Sequence, residues 1–452
     1  MKDRHDVVVC GAGMAGLTAA VAAQDGGADV VVIEKGPSCG GSAVISNGFV
    51  WTHDSLDRVH ELVPNGNPEL QGIVVDNLDA DMAWLATLGL RTGPKRQVLD
   101  YGSGWQVDPN EMIDTLRSTF ERRGGDVLLD TPLRRFRSEG VDRIVDCGDG
   151  RTVRCGAVVV ATGGFQGDGA LVSAHCAPPG NLYHRSNPWS TGDGLAAATA
   201  IGGAVSRGMN HFYGHAMLAP PSRFGPRQFG EVTQYQGHFS VALDLDGVRF
   251  AVESRGTGEE VLNQSLAKRP GGTGVYIVDA AGAERFSLPP DLLKTSTVLE
   301  RAHGYGAAAT ADDLDDLCDA LSSWGVARER ARRELARATE PEAGSAPALG
   351  AGPYSAVLVK AAITFTMGGL AVDETMRVLD RAASTSPLAT LVDDFSQFRQ
   401  RPIEWLFAAG CDVGDVSHDS YVGGLATALT TGRLAGAGAA ASVAPSPIGA
   451  NR

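Results

Sequence analysis

The run Asp6–Lys35, DVVVCGAGMAGLTAAVAAQDGGADVVVIEK, decides the fold. Its first apolar residues, Val7-Val8-Val9-Cys10, are too few and too β-branched for a helix and predict a buried parallel strand. Gly11-Ala12-Gly13-Met14-Ala15-Gly16 follows. Gly11 permits the tight turn out of the strand, Gly13 lets backbone amides close on a pyrophosphate, and Gly16 lets the next helix lie against the sheet. The Ala-rich helix from Leu17 to Gln24 would aim its N-terminal amides and dipole at the phosphates. A second strand, Asp29 to Ile33, ends at Glu34 and Lys35, with Glu34 23 residues after Gly11 and placed for a ribose hydroxyl pair. A GxGxxG alone is weak. Within strand, helix, strand and terminal acid it predicts an adenine dinucleotide, with NAD and FAD both open. The expected fold class is α/β with a Rossmann-like binding domain.

Composition narrows the partners. A chain of 452 residues can form two domains with substantial cores. Glycine accounts for 58 of 452 residues, about 13% against an average near 7%. The excess sits in loops beside strands, as suits a large cofactor held by backbone. The formal charge, 39 − 53 = −14, argues against nucleic acid as a partner. The basic residues of 328–337 alternate with Glu329 and Glu334 and read as a solvated helix face. Seven cysteines without a CxxC give no support to a dithiol centre or a structural zinc site and fit a reducing compartment. His211 and His215 have helical spacing but no third ligand, so no metal is expected. The first strand begins within six residues, leaving no room for a signal peptide, and no run of about 18 apolar residues exists. The expected localisation is cytoplasmic, without a membrane span.

Further along, Cys39 to Trp51 is rich in small residues and backbone donors, so Gly40, Gly41, Ser42, Ser46, Asn47 and Gly48 are expected to line the cofactor. Leu70–Leu88 and Asn110–Arg123 have amphipathic helical spacing. Val127–Leu129, Arg134–Arg137, Asp142–Cys147 and Thr152–Cys155 look like a meander of short strands. Ala157 to Phe165 reads as a second buried parallel strand whose glycine turn, Ala161, Thr162 and Gly163, reaches the phosphates. Asp193 or a neighbour should cap an Ala-rich helix ending near Ile201. From about Ala219 the text turns Pro-rich, aromatic and charged, with strand-like pieces at Phe239–Leu245 and Val275–Val278. Two polar helices and a Pro/Gly/Ala linker at 341–353 close it. The domains are therefore set at 1–218 with 354–442 for the cofactor, 219–353 for an inserted α+β capping domain, and 443–452 for a disordered tail. A small-residue helix after Gly424 can approach a cofactor closely, which places Leu425 against it.

Taken together, the chain resembles the FAD-dependent flavoproteins that include soluble fumarate reductase, 3-ketosteroid Δ1-dehydrogenase and tricarballylate dehydrogenase. GAGMAG with Glu34, GGSAVISNG, ATGGF, GDG at 192–194, GVRFAVES at 247–254, TMGGLAVD, RVLD at 377–380 and LFAAG ending at Gly410 carry the resemblance, in the right order from Asp6 to about Ala440. The resemblance implies non-covalent FAD, with a capping domain over the flavin ring.

At the reaction site the sequence departs from fumarate reductase. That enzyme grips a substrate carboxylate with a His pair before TMGG and an Arg eleven residues after AAG; here Thr364, Phe365 and Tyr421 stand at those places. A small dicarboxylate needs fixed positive charge, so fumarate and succinate are not expected. His215 matches a substrate-binding His of the family, and Glu253 an acid of its proton relay, although Glu253 could equally pair with Arg249 or Arg255. Arg285 reads as a surface arginine. Ketosteroid dehydrogenase carries a tyrosine at the Tyr421 position, where it helps to bind the substrate carbonyl. Tyr101 falls roughly where that enzyme keeps a second active-site tyrosine, while its cap base has only Tyr276 and Tyr305 as candidates. Backbone amides of Gly423 or Gly424 could assist Tyr421. The implied reaction is desaturation next to a carbonyl of a small molecule; the reverse, reduction of an activated double bond, is favoured by His215 and Glu253. No second dinucleotide fingerprint exists, so NAD(P)H is not an expected partner and the electron carrier stays open.

Overall fold

The computed structural model describes residues 2, 4–98, 101–250, 258–288, 293–340, 347–381 and 401–444. Strand Val7–Cys10 lies in the middle of a six-stranded sheet, fully buried, as a β-branched run covered on both faces requires. The order across the sheet is Arg377–Leu379, Pro402–Ala408, Ala157–Val160, Val7–Cys10, Val30–Ile33, Asp126–Leu128. Every pairing is parallel except that between Arg377–Leu379 and Pro402–Ala408. Asp126–Leu128 is the edge strand here, with Val127 opposite Val32, and is not part of the expected meander. That meander holds only Leu133–Glu139, Asp142–Cys147 and Thr152–Cys155. A three-residue apolar run carries no cue to its partner; the register decides it.

Helices Met14–Asp25 and Gly424–Val443 pack together at backbone distance. A Cβ on Gly436 would stand 2.1 Å from the carbonyl oxygen of Ala19. The start of the first helix meets the second helix part-way along, a Cβ on Gly432 standing 2.6 Å from the carbonyl oxygen of Ala15.

The second sheet is antiparallel throughout: Met217–Leu218, Tyr354–Lys360, Thr273–Val278 and Val241–Asp244, with Ala308–Ala311 also on Tyr354–Lys360. Leu317 and Leu321 of helix Leu314–Ser323 and Ala331 and Leu335 of helix Arg328–Ala338 bury against Leu243, Val275 and Ile277. Tyr354–Lys360 is the centre of this sheet, so the expected boundary at 353 is corrected: the strand pairs with Thr273–Val278 and Ala308–Ala311 before it, and the sheet also takes Met217–Leu218. Two short pairings carry the chain between the sheets: Tyr183–His184 with Ala362–Ile363, and Phe212–Tyr213 with Phe365–Thr366. The final helix runs through Val443, past the expected start of the tail, and 445–452 lie outside the described residues. Among the described residues no helix is long and apolar enough to cross a membrane.

Candidate active site

A cavity of about 720 Å³ runs from the first glycine turn to the junction of the two sheets. Gly11, Gly13 and Ala15 line it at the first turn, and Glu34 and Lys35 at the end of the second strand. Gly40, Gly41, Ser42, Ser46 and Asn47 line it along the following loop. Ala161, Thr162 and Gly163 line it at the third strand, and Asp193, Gly410 and Leu425 beyond. Gly16, Gly48 and Gly423 do not line it. Each has a backbone carbonyl oxygen at 1.9, 2.0 and 2.0 Å, respectively, from where a Cβ would stand, so their role is to let chain segments touch behind the wall.

The residues fit an adenine dinucleotide. Gly11 holds φ +112°, which allows the turn, while a Cβ at Gly13 would meet nothing nearer than the Gly40 oxygen at 4.0 Å. A Cβ at Gly13 would therefore clear the protein on the cavity side. Helix Met14–Asp25 begins there with no side-chain cap and no acidic residue in its first turn, leaving its amides for an anion. Helix Gly424–Val443 likewise starts beside the cavity without an acidic first turn. Glu34 accepts from Ala12 N–H and Gly36 N–H, each at 2.7 Å; burial raises its carboxyl, and these amides oppose the rise. Lys35 bonds Thr191 Oγ1 and, at 2.9 Å, Asp193 Oδ2. The Asp193 carboxylate is thus engaged by Lys35, and the helix cap is its neighbour Gly192, at φ +80°.

Asp412, which the sequence reading passed over, orders the third-strand turn. It accepts from Thr162 Oγ1 at 3.0 and 3.1 Å and from Gly163 N–H at 2.9 Å, and burial lifts its carboxyl to about 6. Asp412→Ala would orphan both donors at a site 1% exposed. The expected cost is about 1–3 kcal/mol, read as a lower urea midpoint of the apoprotein.

At its far end the cavity becomes aromatic. Tyr421 stacks on Tyr213 with ring centroids 4.0 Å apart, and Trp51 meets Tyr421 edge-on at 5.7 Å. Phe365 packs on Tyr213 at 5.1 Å, and Tyr101 stacks on His53 at 5.3 Å. All but His53 line the cavity, as do Thr364 and Gly424. The Tyr421 hydroxyl oxygen accepts from Gly424 N–H at 2.6 Å, which leaves its proton free for a ligand.

Beside this wall lies a chain of hydrogen bonds. The Tyr213 hydroxyl meets His215 Nε2 at 2.8 Å, and His215 Nδ1 meets Glu259 Oε2 at 2.8 Å. Tyr276 donates to Glu259 Oε1 at 2.7 Å, and Ala216 N–H reaches both carboxylate oxygens at 3.1 and 3.2 Å. Burial pushes Glu259 up and His215 down, and it raises Tyr213 and Tyr421. With Glu259 ionised, Nδ1 carries the proton and Nε2 accepts from Tyr213; with Glu259 protonated, the chain runs the other way.

His215, Tyr421, Tyr101, Thr364 and Phe365 are thus brought to one end of the cavity. Glu253 lies outside the described residues, and the acid on His215 is Glu259. Of the two cap tyrosines weighed from sequence, Tyr276 stands behind Glu259, and Tyr305 accepts from Gln228 Nε2 at 2.9 Å; neither lines the cavity. Tyr213 does. Its i, i+2 spacing from His215 puts both on one side of an extended segment, a cue available in the sequence. His211 bonds Gln264 at 3.1 Å and packs on His418 at 4.6 Å, away from His215's partners. Arg285 is exposed yet lines the cavity, its guanidinium 4.2 Å from the Phe239 ring centre. Arg185 lines it too and is buried. The cavity therefore holds the fixed positive charge that the substitutions at 364, 365 and 421 had suggested was gone.

An uncapped helix N-terminus over a glycine turn, an acid at the second strand and a cavity ending in tyrosines define an FAD-dependent oxidoreductase. The chain matches the FAD binding domain family over residues 6–424 and belongs to it. It is 26% identical over 477 residues to a probable fumarate reductase of Shewanella frigidimarina, covering 97% of this chain and 75% of that protein. It is 24% identical over 557 residues to 4-oxocyclohexanecarboxylate 2-dehydrogenase of Sinomonas cyclohexanicum, covering 96% and 92%. Among solved structures, 3-ketosteroid delta1-dehydrogenase of Sterolibacterium denitrificans superposes with a TM-score of 0.73 at 18% identity, over 98% of this chain and 100% of that one. A flavocytochrome c3 fumarate reductase in its open conformation gives 0.69 at 22%, over 98% and 79%.

Proposed function

We propose that the protein desaturates a carbonyl compound, removing a proton from the α-carbon and a hydride from the adjacent β-carbon. The observation that carries this reading is the Tyr213–His215–Glu259 chain opening onto the same aromatic wall as Tyr421. Bound in the channel, FAD supplies the hydride acceptor. The free proton of Tyr421 bonds the substrate carbonyl and stabilises charge developing on its oxygen; such a donor is typically worth about 3 kcal/mol. Both phenols are raised by burial, so Tyr421 stays a donor, and Tyr213 becomes a base only by passing its proton to His215 Nε2. Ionised Glu259 beside Nδ1 then offsets the imidazolium. Gly424 positions Tyr421, and Trp51 and Phe365 exclude water.

Anaerobic mixing with a panel of cyclic ketones should bleach the flavin. Bleaching by none of them, with fumarate reduced by a reduced viologen, overturns the reading. Reduction of an activated double bond is then the second reading, favoured by Arg285 in the cavity wall and by the relative named for fumarate.

The chain predicts a pH dependence. Proton abstraction needs Glu259 ionised, and burial raises its carboxyl, so activity is lost as pH falls through a value above the ordinary Glu range of about 4.3. In Glu259→Gln this acid limb of kcat/KM should vanish while FAD stays bound. An unchanged limb in that variant would assign it to another group.

A further inference from the structure

Arg185 is 9% exposed, at the edge where Tyr183–His184 pairs with Ala362–Ile363. Its Nη1 donates to Thr364 Oγ1 at 2.9 Å and its Nε to Thr233 Oγ1 at 3.3 Å. Both partners are neutral. Among the described residues no carboxylate lies within ion-pair distance of it and Nη2 has no partner, although the side chain lines the cavity. Glu259, which shares the cavity, is occupied by His215, Ala216 and Tyr276. A guanidinium has five donors in a fixed fork that matches a carboxylate, and a buried cation without an anion is costly. The two threonines engage Nε and Nη1 and leave Nη2 to the cavity.

We propose that Arg185 binds a carboxylate of the substrate, so that the protein acts on an apolar cyclic keto acid whose acid end meets Arg185 and whose carbonyl meets Tyr421. This rests on the desaturase reading for the carbonyl end alone. The body of such a molecule would lie along Trp51, Tyr213 and Phe365. Arg185 also acts electrostatically on Tyr213, His215 and Glu259, which places it at this end of the cavity. An acid held there would lie beside the proton chain.

The test uses ligands that cannot be desaturated. 4-Hydroxybenzoate mimics an enol bearing a carboxylate, and its methyl ester lacks the charge. Titrated into the holoenzyme and followed by the visible flavin spectrum, the acid should bind at least 30-fold more tightly than the ester. Arg185→Gln should abolish that preference and change the ester's affinity less than threefold, with FAD content and melting temperature preserved. Equal affinities in the wild type overturn the inference, as does equal weakening of both ligands in the variant. So does a shifted flavin potential with the acid preference intact, since it would assign the guanidinium to the flavin. If Arg185→Gln fails to hold FAD, the wild-type ratio and its decline with ionic strength decide. An Arg185-dependent acid preference with no ketone bleaching the flavin would sink the desaturase reading and leave the anion site standing. Bleaching by ketones with no acid preference would do the reverse.

Discussion

Tyr213→Phe should hold FAD and fold normally, yet bleach its flavin with substrate 10²–10⁴-fold more slowly than the wild type, the usual contribution of a positioned proton-transfer group. The substitution removes one oxygen. The ring that stacks on Tyr421 at 4.0 Å and touches Phe365 at 5.1 Å remains, so the wall keeps its shape. What disappears is the link from the cavity to His215 Nε2, and with it the path to Glu259. Binding of the enol mimic should change less than threefold, which separates this effect from lost affinity. Tyr421→Phe, by contrast, should slow bleaching about 10²-fold through loss of the carbonyl donor and weaken the enol mimic as well. A Tyr213→Phe enzyme within threefold of wild type would reduce Tyr213 to packing and assign the base to His215, which lines the cavity itself.

The cofactor half of the site is legible in the sequence because its physics is local. From Gly11 to Glu34 the turn, the helix and the second strand follow one another without long-range help, and the acid's partners are Ala12 and Gly36. The reacting half depends on contacts across the chain. Arg185 meets Thr364 at a separation of 179 residues, through a pairing of two-residue strands that no periodicity announces. Glu259 opens a helix with Glu260 beside it, and acids in a first turn read as ordinary complements to the helix dipole. The closeness of Glu259 to His215 is set by where the chain enters helix Glu259–Ala267. The boundary near 353 failed for a related reason. Tyr354–Lys360 has the composition of a core strand, and composition does not say which core.

Gly13→Val should give a folded protein that binds FAD at least 100-fold more weakly, while Gly11→Val should give little folded protein at all. The two glycines stand two residues apart in one motif, and the motif does not distinguish them. The structure does. At Gly11 the backbone has φ +112°, and a Cβ would stand 2.1 Å from the carbonyl oxygen of Ala161, a main-chain atom directly after the neighbouring strand. Neither that strand nor the helix can give way, because Ala157–Val160 is locked in parallel register with Val7–Cys10. At Gly13 the φ is −77°, which any residue tolerates, and the protein leaves 4.0 Å of clearance. A valine there costs the fold little and fills the space in front of the uncapped amides of helix Met14–Asp25. A 100-fold loss corresponds to about 2.7 kcal/mol, a modest demand for moving a diphosphate off a helix N-terminus. Apoprotein melting separates the cases: Gly13→Val should melt within a few degrees of wild-type apoprotein, and FAD should raise only the wild type's midpoint at micromolar concentration. If FAD stabilises Gly13→Val as strongly as wild type, the diphosphate does not pass over Gly13.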